Sequence, residues 1–132
     1  YLLKSGYKDG FYQKAIKVRT LIRDELKSAF KQCDLLLGPT APTTAFKLGE
    51  KIDDPLQMYS SDICTIVAAL AGYPAISVFA GLSGDNLPVG MQFTAPPLKE
   101  ELLFQVATAV EEMFPPAMPP ELIPSTAEGK RP

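Results

Sequence analysis

The sequence predicts an α/β fold, a small sheet with helices packed around it. Three observations carry this reading. Amphipathic helical segments alternate with short apolar runs, and glycine or proline closes the runs. The run Ala75-Ile76-Ser77-Val78-Phe79-Ala80 is apolar at nearly every position, which predicts a strand covered on both faces. The order reads helix, strand, long connection, helix, strand, strand, helix, which gives the sheet too few helices to cover it.

Over residues 8–31, Phe11, Ala15, Val18, Ile22, Leu26 and Ala29 recur at three- and four-residue steps along one helix face, with Lys17, Arg23, Lys27 and Lys31 opposite. Such a basic face is the ordinary solvated side of an amphipathic helix, or a docking surface for RNA or an acidic partner. The run Asp34-Leu35-Leu36-Leu37-Gly38-Pro39 predicts a buried strand. Residues 40–54, with Pro42 and Gly49, form a long irregular connection of the kind that often carries function. Asp54-Pro55 supplies an N-cap and a first-turn proline, so a second helix is expected to run to Ala71, where Gly72 and Pro74 stop it. Residues 75–80 and 88–94 flank a turn-rich segment and predict a hairpin. A last helix over residues 99–114 turns Leu102, Leu103, Val106, Val110 and Met113 inward, with Glu100 and Glu101 in the first turn, where the helix dipole favours them. Residues 115–132 are rich in proline and polar residues and predict an extended tail.

Composition narrows the chemistry. The 132 residues include no histidine, which removes any Ser-His-Asp or Cys-His mechanism and any histidine metal site. A net charge of −2 gives no electrostatic reason to expect direct nucleic-acid contact. Cys33 and Cys64 lack the doublet spacing of zinc or redox motifs and read as reduced, packed thiols. The longest apolar stretch, around residues 63–71, falls short of the roughly 20 residues a membrane span needs. The chain opens on Tyr1 in sequence that is already patterned, so a piece of a longer protein is expected. No glycine-rich stretch has phosphate-loop spacing, and no serine sits in a Gly-x-Ser-x-Gly pattern. The pairs Asp53-Asp54, Glu100-Glu101 and Glu111-Glu112 lie at helix ends or on outward faces, where capping and solubility explain them.

Asp62 differs, being the only charged side chain from Leu56 to Gly72. It lies at the edge of the stripe Leu56, Tyr59, Ile63, Ile66, Leu70, so it is expected to meet protein or a cavity rather than bulk water. A carboxylate in that setting needs a partner, because an unpaired buried charge costs several kcal/mol. Two partners are open: a structural donor elsewhere in the fold, or a cationic ligand such as an ammonium group.

Several segments together carry a resemblance. They are Tyr12-Gln13-Lys14-Ala15 leading into Lys17-Val18-Arg19-Thr20-Leu21-Ile22, the loop Gly38-Pro39-Thr40-Ala41-Pro42-Thr43, and Met58-Tyr59-Ser60-Ser61-Asp62-Ile63. Leu70-Ala71-Gly72-Tyr73-Pro74-Ala75-Ile76-Ser77 and Leu87-Pro88-Val89-Gly90-Met91-Gln92 follow. In order and spacing these resemble the C-terminal part of the amidase signature family, over residues 1–114. Within that family they are most similar to the A subunits of glutamyl-tRNA(Gln) or aspartyl-tRNA(Asn) amidotransferases.

The resemblance implies a C-terminal fragment of a mixed central β-sheet covered by helices on both faces, with residues 115–132 as a tail. It implies a glutaminase whose Ser-cis-Ser-Lys triad lies upstream of this chain, so that no catalytic residue is present here and the isolated chain is inactive. In such systems the ammonia passes to the B subunit, which uses ATP and Mg to convert Glu-tRNA(Gln) to Gln-tRNA(Gln), while the C subunit clasps the complex. The tRNA is met through the complex rather than through this segment. The setting is bacterial cytoplasm or an organelle, with no membrane contact, and the chain itself holds no cofactor or metal. One functional position carries over: the aspartate of Met-Tyr-x-x-Asp-Ile, here Asp62, holds the α-amino group of glutamine. The arginine that grips the glutamine carboxylate falls before Tyr1. The chain departs from the family pattern where Ile66-Val67-Ala68-Ala69-Leu70-Ala71-Gly72 replaces Ile-Pro-x-Asn-Leu-Ala-Gly, and where Val78-Phe79-Ala80-Gly81 replaces Val-Pro-Cys-Gly. Two further readings stand beside this one: a stand-alone amidase acting on another amide, and a non-catalytic scaffold built from an amidase C-terminal region.

Overall fold

A strand takes its place in a sheet from the backbone groups it can pair and the side chains it can bury. In the computed structural model, which describes residues 11–50 and 55–115, the elements are α1 (Phe11–Ala29), β1 (Leu36–Pro39), α2 (Pro55–Ser60), α3 (Ile63–Ala71), β2 (Ala75–Leu82), β3 (Pro88–Thr94) and α4 (Glu100–Met113). The three strands form one sheet in the order β1-β3-β2. Both pairings are antiparallel, so the mixed character expected of the sheet is not expressed among the described strands.

The predicted hairpin is β2 and β3. Ser83 organises its turn: its backbone N–H donates to Leu87 O at 2.8 Å, and its hydroxyl accepts from the backbone N–H of Asp85 and of Leu87. The register slips between Phe79 and Gly81, leaving Ala80 as the extra residue of a bulge, and Gly81 takes φ +123°, a conformation only glycine adopts freely.

Side chains alternate across the sheet, and the register sets two faces. Ile76, Val78, Met91 and Phe93 point toward α4, where Leu103, Ala107 and Val110 complete the core with Ala95. Met113, expected to point inward, is exposed and lies outside that cluster. The other face carries Ser77, Gly90, Gln92 and Thr94 and meets α3, on which α1 rests.

Three expectations of burial are corrected. Leu36–Pro39 is an edge strand paired only with β3, and Leu37 is 64% exposed, so β1 is not a buried strand. In β2 only Val78 is buried, because α4 covers one face incompletely and α3 offers the other face a short helix. On α1 the half-buried positions are Ile22, Leu26 and Ala29, whereas Ala15 and Val18 are exposed. Nineteen residues of α1 lie against a nine-residue helix, about 28 Å against about 14 Å of axis. The thiols of Cys33 and Cys64 are free and half-buried, as expected.

The helix expected to run unbroken from Pro55 to Ala71 is two helices. Ser61 N–H donates to Met58 O and Asp62 N–H to Tyr59 O, three-residue steps that tighten and end α2. The chain then restarts at Asp62, the N-cap of α3. Asp54, the expected cap of the first of these helices, lies outside the described residues. The predicted stop is present: Gly72 takes φ +74°, and its N–H and that of Tyr73 return to Ala68 O. Helix α4 matches its prediction within a residue at each end and ends at Met113. Of the expected tail, residues 115–132, all but Pro115 lie outside the described residues.

Candidate functional site

Asp62 sits between α2 and α3 with φ −95° and ψ 0°, the sparsely populated bridge region where active-site residues are often found. Its backbone is committed. The carbonyl accepts from Thr65 N–H at 3.1 Å, Ile66 N–H at 3.0 Å and the Thr65 hydroxyl at 3.1 Å. Its side chain is not committed. The carboxylate makes no cap hydrogen bond, although an aspartate at an N-cap usually does.

Contrary to expectation, Asp62 is exposed. The apolar stripe beside it is exposed as well: Tyr59 at 76% and Ile63 at 61%, with Leu56, Ile66 and Leu70 alike. The only buried residues of α3 are Ala68 and Ala71. Periodicity marks the apolar positions, but burial needs an opposing surface, and among the described residues none lies over them.

A cleft of about 490 Å³ opens nearby, between the loop from Pro39 to Phe46, Ser61, and the start of β3 at Pro88, Val89 and Gly90. A neighbouring cavity of about 460 Å³ shares the loop and adds Glu50 and Ser60. The described part of the long connection after β1 thus forms a wall of the two cavities. Asp62 is next in sequence to Ser61 but outside both linings.

The floor of the cleft is built by a close approach. Thr40 N–H donates to Gly90 O at 3.1 Å, and the Thr40 and Ser77 hydroxyls lie 2.6 Å apart, one donating to the other. Thr40 therefore crosses β3 directly over Gly90. A Cβ at residue 90 would lie 2.8 Å from Thr40 Oγ1, 3.0 Å from Thr40 Cβ and 3.1 Å from Ser77 Oγ. Gly90→Ala is expected to cost about 1–3 kcal/mol as an overpacked contact. Denaturant unfolding of the full-length protein measures it, and Thr40→Ala should recover only part of the loss, because the Thr40 Cβ stays in place.

Sequence reasoning missed Thr40, Ser77 and Gln92 as a group. Their signal was weak: a serine inside an apolar strand, and a glutamine on the same face two residues beyond a strand glycine. Gln92 Nε2 donates to Cys64 O at 3.0 Å, joining the central strand to the first turn of α3. Arg19 Nε donates to Leu70 O at 2.7 Å and holds the last turn of α3. Arg19 belongs to the Lys-Val-Arg-Thr motif, so one basic residue of α1 serves packing.

Among the described residues, no three His, Cys, Asp or Glu side chains converge as metal ligands, and no helix is long and apolar enough to cross a membrane. The site as built offers a single uncommitted carboxylate beside hydroxyl-bearing and apolar walls. Such a group can hold and orient a cation.

Comparison with known proteins agrees with the motifs. Residues 1–104 match the Amidase family. The chain is 58% identical over 112 residues to the A subunit of glutamyl-tRNA(Gln) amidotransferase of Synechococcus sp. (strain RCC307), covering 85% of this chain and 23% of that protein. A solved structure of the glutamyl-tRNA(Gln) amidotransferase A subunit from Thermotoga maritima superposes with a TM-score of 0.75 at 48% identity, covering 83% of this chain and 24% of that one. A 6-aminohexanoate cyclic dimer hydrolase gives a TM-score of 0.61 at 26% identity, over 78% of this chain and 23% of that one. The chain thus spans about a quarter of the length of the relatives it matches, and the arrangement of its helices and sheet is that of the corresponding part of the amidase-signature fold. The chain belongs to the amidase family.

Proposed function

We propose that the chain is part of the glutaminase subunit of a tRNA-dependent amidotransferase and supplies one wall of its glutamine site. The observation that carries this is the gap in identity. The chain is 58% identical to the A subunit of an amidotransferase. It is 26% identical to a hydrolase of the same fold named for another amide.

Asp62 is the residue of this chain that meets the substrate. Its free carboxylate takes the α-amino group of glutamine in charge-assisted hydrogen bonds, which are shorter and about twice as strong as neutral ones. The exposed stripe around it is covered in the complete protein. That cover excludes water and strengthens the ion contact. Asp62 selects and orients, while the bond is broken by a serine nucleophile that a lysine activates through a second serine, outside this segment. No histidine is needed for that chemistry, in keeping with a chain that has none. Ammonia released there passes to the B subunit, where ATP and Mg activate Glu-tRNA(Gln) for amidation, and the C subunit binds the two together. ATP and Mg are assigned to the partner, and the tRNA is met by the complex as a whole. The assembly works in bacterial cytoplasm or in an organelle.

The test uses the full-length protein purified with its two partner subunits. Glutamine hydrolysis, and conversion of Glu-tRNA(Gln) with either glutamine or ammonium as nitrogen donor, are expected. Hydrolysis of another amide with no tRNA product would point instead to a stand-alone amidase. No hydrolysis at all would point to a scaffold.

A further inference from the structure

We propose that Gln92 is a positioning residue for the substrate site, its side-chain amide fixing the first turn of α3 and through it the direction of Asp62. The inference rests on the reading of Asp62 as the anchor for the substrate ammonium.

The Asp62 carboxylate has no tether of its own, so its direction is set by its backbone. That backbone is locked to the first turn of α3 by the three hydrogen bonds that converge on the Asp62 carbonyl. What locks the turn to the rest of the fold is Gln92, whose amide reaches the carbonyl of Cys64, two residues from Asp62, at 3.0 Å. A carbonyl has two lone pairs, so this bond adds to the helical pattern without breaking it.

The sheet makes room for the reach. Gln92 lies on the central strand, flanked across β1 by Gly38 and across β2 by Ser77. Both neighbours are small, which leaves a slot in which a long side chain stands away from the sheet toward the helix. Packing alone orients this end of α3 poorly, because Ala68 and Ala71 are its only buried residues and both lie in its second half. Arg19 also acts there, on the carbonyl of Leu70. Without Gln92 the helix keeps its place and loses its aim.

The test uses the full-length enzyme with its partner subunits, and two substrates that differ only at the α-amino group: glutamine and glutaramate. Gln92→Met keeps the volume and removes the donor. It is expected to lower the ratio of kcat/KM for glutamine over glutaramate about three- to tenfold, the range one hydrogen bond spans, through the glutamine KM. Asp62→Ala should lower the same ratio further, and adding Gln92→Met to it should change the ratio no more, since the two act through one contact. Ammonium-dependent amidation and the unfolding midpoint report whether each variant is folded. Gln92→Glu, which keeps the shape but not the N–H, gives the same readout should the methionine variant fail to fold. If Asp62→Ala collapses the ratio while both Gln92 variants leave it intact, the role of Gln92 is overturned and that of Asp62 stands. If Asp62→Ala leaves the ratio unchanged, both fall together.

Discussion

In the full-length enzyme, Asp62→Ala is expected to raise the KM for glutamine on the order of 10- to 100-fold, the range for losing a hydrogen bond between charged groups, with kcat changed much less. The contact proposed for Asp62 lies on the amino end of glutamine, remote from the amide that reacts. It therefore holds ground state and transition state alike, and its loss appears in KM. Folding should be largely spared, because the side chain is exposed and makes no cap hydrogen bond. Asp62→Asn separates charge from shape. It keeps the N-cap geometry and one acceptor oxygen but removes the negative charge, so it should resemble alanine in KM and wild type in thermal unfolding. Steady-state glutamine kinetics with an unfolding curve for each variant would decide the matter, and an unchanged KM would sink the assignment.

Phe93→Ala is expected to cost about 3–5 kcal/mol of stability, the range for removing a buried aromatic ring from a packed core. Phe93 lies on the central strand, one residue from Gln92 and on the opposite face, where it closes the cluster formed by Val78, Leu103, Ala107 and Val110. Its ring is the largest side chain in that cluster, and the small Ala95 and Ala107 beside it cannot move in to fill the space. The unfolding midpoint of the full-length protein in denaturant measures the loss. A decrease below about 1 kcal/mol would mean that the core around α4 repacks far more freely than a close-packed interior does.

Elements whose stability is local were legible in the sequence. Helix α4 has its inward stripe and first-turn acids, and the hairpin has its turn residues, so both were bounded correctly within a residue or two. The break at Asp62 was not legible, because Leu56, Tyr59, Ile63, Ile66 and Leu70 keep helical spacing straight through it. Only the three-residue hydrogen bonds of Ser61 and Asp62 reveal the interruption. Burial was over-read for one reason on α1 and in three further places. Apolar composition on α3, β1 and β2 states what a surface seeks, while coverage depends on what else is present to pack there. Of the site, Asp62 stood out as a lone charge in an apolar run. Gln92 did not, since a glutamine on a strand signals nothing until tertiary contact shows which carbonyl it reaches.

The two bonds that hold α3, from Arg19 to Leu70 and from Gln92 to Cys64, both end on backbone carbonyls. Every residue type supplies that acceptor. These two contacts use the main chain of the helix, so its exposed side chains can be exchanged without breaking them. Val67 and Ala69 are exposed side chains of this kind, and α3 is a regular helix from Ile63 to Ala71. An element hung in this way can change its exposed side chains one residue at a time and keep its seat.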